Sequence, residues 1–248
     1  MNATTMQVKT DDEIMESYRS FLSGRDFPCV AAREAVAREQ VHCFVAGHMA
    51  CPAHDRQILD FLYSFVDQYR EKENLFHSAA IIFKQPFIDS SESFDGMMWM
   101  RLQALADLDA EHYGYDRRVT SDPNSENFSF SLKEEAFFIV GLHPESPRKT
   151  RRFNYAALAF NPHSQFDRLR SNGQYQKMQN IVRKRDLAYS GSINPMLRDF
   201  GTSSEVFQYS GREYGSDWSC PLKINHGTTT YHSAEERGGL PAEKRPAS

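Results

Sequence analysis

No stretch of this 248-residue chain approaches the roughly 18 consecutive apolar residues of a membrane span, so a transmembrane helix is not expected. The first residues, MNATTMQVKTDDEIMES, lack an apolar signal-peptide core, and a cytoplasmic location is expected. Cysteine is scarce: Cys29, Cys43, Cys51 and Cys220 are the four. In the cytosol these stay reduced, so a disulfide framework is not expected. Basic residues are not in surplus. The net charge of −4 argues against a general nucleic-acid binder. A Gly-rich phosphate loop and a dinucleotide fingerprint are both missing, which leaves a Rossmann oxidoreductase or a nucleotide kinase without support. There is no nucleophile elbow and no His-Glu-x-x-His zinc helix.

What the chain has is apolar material for one sizeable core, with 18 Phe and 11 Tyr. Helical spacing of apolar residues predicts helices over 11–22, 31–39, 54–72 and 90–109, then 164–171 and 175–189. Strands are expected at 41–46, 78–83, 127–132, 136–142 and 155–160. The second and third of these helices flank a strand at 41–46, and the link 133–135 has hairpin length. Helices before and after an apparently antiparallel set of strands favour one α+β domain, a mainly antiparallel sheet flanked by helices. Residues 1–10 and 225–248 are polar and patternless and are expected to be disordered, leaving 11–224 as the folded domain.

Four clusters carry candidate chemistry. His143 follows directly on the apolar run AFFIVGL and opens a turn containing Arg148, Arg151 and Arg152. An imidazole there suits a transition metal, and guanidinium groups suit carboxylates. The same residues also read as a basic surface loop with an ordinary histidine. The set His42, Cys43, His48, Cys51 and His54 does not match a common structural zinc spacing and reads as incidental. Cys220, in Trp218-Ser219-Cys220-Pro221, offers a thiolate. Asp107, Asp109, Glu111 and Asp116 offer carboxylates for a cation, or form the solvated end of a helix.

The stretch from Arg148 to Arg212, together with Phe27-Pro28-Cys29, Met98-Trp99, Leu102-Gln103, Gln208-Tyr209-Ser210-Gly211-Arg212 and Trp218-x-Cys220-Pro221, resembles the YqcI/YcgG family. It is most similar to the branch of guanitoxin-type haem-dependent N-hydroxylases, to which the arginine N-hydroxylase of D-cycloserine biosynthesis is related. The chain departs from that pattern in the Cys/His set at 42–54 and in Leu222 after Cys-Pro. The resemblance implies haem b, O₂ as co-substrate, an external electron donor and a small guanidino or amino-acid substrate such as arginine. It implies neither nucleic acid nor a membrane as partner, and it is compatible with a homodimer. On that basis His143 is expected to ligate the iron, because a strand end fixes its backbone; Cys220 and His163 are the alternatives. Arg148, Arg151 and Arg152 are expected on haem propionates, Asp107 and Asp109 on the substrate cation, and His163 otherwise as a distal group. A haem-binding sensor or carrier without turnover is the alternative function, and a non-haem metal hydrolase using the His/Cys set is a third.

Overall fold

Thr10 starts the first helix. Its side chain accepts from the Glu13 N–H and the Glu13 carboxylate accepts from the Thr10 N–H, a reciprocal cap. A computed structural model describes residues 9–72, 76–192 and 201–226. Within them, α1 (Asp11–Ser23), α2 (Val30–Ala37), β1 (Val41–His48), α3 (Asp55–Lys72), β2 (Ser78–Gln85) and α4 (Ser91–Asp109) come first. Then follow β3 (Phe130–Leu132), β4 (Glu135–Leu142), β5 (Ala156–Pro162), α5 (His163–Ser171), α6 (Tyr175–Ser190) and α7 (Val206–Tyr209). The expected tails lie mostly outside the described residues. Thr10 and His226, at the inner edges of those tails, are ordered parts of the fold: one caps α1 and the other is buried.

The five strands form one sheet in the order β1-β2-β5-β4-β3. Only β1 and β2 are parallel, joined by the α3 crossover; the other pairs are antiparallel. The fold is therefore α+β with a mainly antiparallel sheet. β3 is shorter than its alternation suggests. Phe128 makes an isolated bridge to Thr120 instead of continuing the strand.

Strand side chains alternate between two faces. Ala79, Ile81, Phe83, Phe137, Ile139, Leu158 and Phe160 pack under α3, α4 and α7. Ala80, Ile82, Leu142, Ala157 and Ala159 face α1 and α2 together with Val41 and Phe153. The central strands are apolar on both sides because both sides are covered. α4 lies on the first face through Phe94, Met98, Leu102 and Leu105, and Ser90 caps it.

Candidate functional site

The parity of β4 decides where the expected iron ligand goes. Positions 137 and 139 point toward α4, and so does Gly141, where an added Cβ would meet the Phe94 ring at 2.7 Å. His143 follows two residues on and stacks on Phe94, ring centroids 4.3 Å apart. It is buried, its Nδ1 has no hydrogen-bond partner, and burial followed by the charge of Arg151 lowers its pKa to about 4. His143 lines no described cavity. Its imidazole is a neutral core group packed flat on a phenyl ring.

The three arginines of the following turn are engaged with the protein itself. The Arg148 guanidinium bonds Asp186 at 2.6 Å and the Ser192 carbonyl at 2.8 Å, tying the turn to α6. Arg151 is buried and donates to the carbonyl of Tyr209 at 2.8 Å; burial lowers its pKa to about 10. Arg152 donates to the carbonyls of Ser146 and Pro147. The turn is a basic structural corner, and the guanidinium groups are not gathered around an anion site.

Asp107 and Asp109 separate because two residues on a helix lie on different faces. Asp107 is exposed, and its Oδ1 accepts from Gln103 and Asn225 at 2.8 Å each. Asp109 is fully buried. It accepts from the Lys133 N–H at 3.0 Å and pairs with His226 Nε2 at 2.9 Å. Asp109 therefore anchors the segment that carries His226 and is itself buried. Asp116 is likewise buried and held in a fork by Arg118, whereas Glu111 is exposed.

His163 has both ring nitrogens facing carboxylates: Nε2 lies 3.2 Å from Glu205 and Nδ1 3.6 Å from Asp167. Burial opposes its charge, but the hydrogen bonds to Asp167 and Glu205 overcome this and raise its pKa to about 9. Cys220 packs against the α4-side core, and burial raises its thiol to about 12. In the His/Cys set of 42–54, His42 stacks by His77 while Cys43 joins the opposite face, and Cys51 is exposed. Among the described residues no group of three or more His, Cys, Asp or Glu side chains is arranged to hold a metal ion.

An apolar cavity lies on the other side of the sheet. It measures about 260 Å³. Val140, Leu142 and Ala159 line it from the sheet, Tyr18 and Leu22 from α1, and Met178 and Val182 from α6. Ala31, Ala32 and Ala35 of α2 keep that wall thin. Cys29 stands in the wall as the N-cap of α2. Its sulfur accepts from the Ala32 N–H at 3.4 Å and also from Ala31. Burial raises the thiol pKa, against the pull of these two N–H groups. Among the described residues no carboxylate lines the cavity. In the sequence Cys29 stands out only as one of the four cysteines and as the end of Phe27-Pro28-Cys29. A cysteine directly before an Ala-rich helix was the available signal, since the N-cap position aims a side chain at free backbone N–H groups.

A second concavity, about 600 Å³, runs along the outer side of α4. Asp95, Trp99, Gln103 and Asp107 line it from the helix, and Trp218, Ser219 and Pro221 form the facing wall. Thus Asp107 and the Trp-Ser-Cys-Pro segment do meet, whereas His143, His163 and the arginine turn lie elsewhere.

The YqcI/YcgG family model matches residues 18–223. The relative named "Uncharacterized protein YqcI" of Bacillus subtilis (strain 168) is 26% identical over 187 residues, covering 73% of this chain and 72% of the relative. No solved structure is a significant match. Among the described residues no helix is long and apolar enough to cross a membrane.

Proposed function

The chain belongs to the YqcI/YcgG family, and from that premise we propose that it is a haem-dependent N-hydroxylase whose haem occupies the cavity beside α2, with Cys29 as the iron ligand. The observation that carries the reading is the Cys29 sulfur, at a helix N-terminus, in the wall of an apolar cavity. A soft sulfur donor suits iron. The cavity lies just below the usual range of small-molecule sites and is smaller than a porphyrin, so haem would enter it only in part, or with α2 and α6 moved outward. That placement asks nothing of Arg148, Arg151 and Arg152.

Burial favours the protonated Cys29 thiol, and as an iron ligand Cys29 would bind as the thiolate. The Ala31 and Ala32 N–H groups and the positive end of α2 then stabilise the thiolate. A thiolate-ligated haem supplies the oxygen activation that N-hydroxylation requires. The walls from α1, α2 and α6 would limit water around the part of the group they enclose. The described wall presents Asn161, Gln179 and Tyr175 and lacks carboxylates.

The test is the carbon monoxide spectrum of the ferrous protein expressed with haem supplied. The red-shifted thiolate-type band is expected in wild type, in Cys220→Ala and in His143→Leu, and should disappear in Cys29→Ala. A band that persists in Cys29→Ala and vanishes in Cys220→Ala overturns the ligand, and a protein that takes up no haem overturns the reading. Arginine, reductant and O₂ with the loaded protein should give a hydroxylated product by mass spectrometry. Haem without product leaves the carrier or sensor role.

A further inference from the structure

The groove along α4 has a built-in spacing. Asp95, Trp99, Gln103 and Asp107 recur every four residues and so share one side of the helix. Twelve residues at 1.5 Å each put the two aspartates about 18 Å apart along the axis. Between them the surface is aromatic and aliphatic: Trp99, the half-exposed Met100, Trp218 and Pro221. The two tryptophan rings lie 5.8 Å apart, and Tyr214 stacks on Trp218 at 3.8 Å, which makes the facing wall rigid. Gly96 leaves open space beside Asp95, since an added Cβ would meet nothing within 4 Å.

Both ends are acidic, and among the described residues no basic side chain lines the groove. Asp95 is more than nine-tenths buried. Its Oδ1 accepts from Trp99 Nε1 and the Tyr214 hydroxyl. Its Oδ2 receives no hydrogen bond among the described residues; it is ion-paired with Arg212 at 3.8 Å, and Arg212 lies closer to Glu92, at 3.2 Å. At the other end Asp107 is held in place through Oδ1 by Gln103 and Asn225.

We propose that this groove binds a linear polyamine, its terminal ammonium groups at Asp95 and Asp107 and its methylene chain across Met100, Trp218 and Pro221. An ammonium adds a hydrogen-bond donor to Asp95 Oδ2, which Arg212 approaches only to 3.8 Å, and alkyl ammonium chains lie well on aromatic faces. The length is the discriminating feature: a short diamine reaches one carboxylate, and a tetra-amine reaches both and gains from the second contact without a second loss of translational freedom. The site stands on the opposite side of the sheet from the Cys29 cavity and does not rest on the haem reading.

Trp99 and Trp218 are the only tryptophans of the chain, so intrinsic fluorescence reads this groove directly. The full chain is titrated with putrescine, spermidine and spermine, and with a neutral glycol oligomer of matching length. A saturable change is expected, with affinity rising at least tenfold from putrescine to spermine and no response to the glycol. Asp107→Asn should weaken spermine roughly tenfold to a hundredfold, the worth of a charged hydrogen bond, and leave putrescine and spermine nearly equal. Asp12→Asn removes the same charge from exposed α1 and should change nothing. Equal affinity for the three amines, an unaltered Asp107→Asn, or an equal loss in Asp12→Asn overturns the proposal. Trp218→Phe with a native circular dichroism spectrum should also weaken spermine, measured by calorimetry.

Discussion

His163 Nε2 sits 3.2 Å from Glu205 Oε1, and each side chain is only 5% exposed. The pair joins the start of α5 to the start of α7, and Glu205 also accepts from Ser129 at 2.9 Å. The native pKa of His163, about 9, lies above its ordinary 6.5. Its stabilisation is therefore complete below pH 6.5 and is lost as pH rises through 9. That difference corresponds to at most about 3 kcal/mol. Urea unfolding should show a falling stability between pH 7 and 9.5 in wild type and a much flatter profile in His163→Gln.

His143 gives the opposite slope on the acid side. Its native pKa of about 4 lies below 6.5, so its contribution is complete above pH 6.5 and is lost as pH falls toward 4. A leucine at this position cannot titrate and still packs on Phe94. His143→Leu should hold its midpoint in urea between pH 6.5 and 4.5 better than wild type; parallel curves for the two proteins would remove His143 from the acid limb.

Arg148 and Asp186 form a buried ion pair, each side chain 9% exposed. Arg148→Ala leaves a carboxylate in the interior without its cation, a change that costs about 3–5 kcal/mol. The double variant Arg148→Met/Asp186→Leu should recover much of this. Arg152 is exposed and bonds only nearby carbonyls, so Arg152→Ala should cost about 1 kcal/mol or less. Thermal or urea denaturation orders the three variants.

Gly211 has φ of +80°, and an added Cβ would sit 2.7 Å from Arg151 Cδ. Arg151 is held there by the Tyr209 carbonyl. Gly211→Ala meets both backbone strain and a fixed neighbour and should destabilise by about 1–3 kcal/mol. A wild-type midpoint would show that the Arg151 side chain moves aside freely.

The long helices could be read from the chain because each has one apolar stripe. Ile58, Leu62, Phe65, Val66 and Tyr69 of α3 are all buried as their spacing requires. The four-residue α7 was missed; it is too short to show a period, and it exists because Val206 and Tyr209 fill a gap beneath β4. The parallel β1–β2 pair was also hidden, since the direction of pairing depends on how α3 crosses over the sheet and leaves no mark on either strand.

The sequence alone determined the long helices, the α+β class and the family, because these follow from local periodicity and from motifs that keep their order along the chain. The site was a matter of faces. One residue of parity on β4 sends His143 to Phe94 while Leu142 lines the cavity. Two residues on α4 send Asp107 to the groove and Asp109 into the core. Only the tertiary structure decided which face encloses a space and which is filled, since that depends on what α2, α6 and the segment 218–226 bring from distant parts of the chain to pack against it.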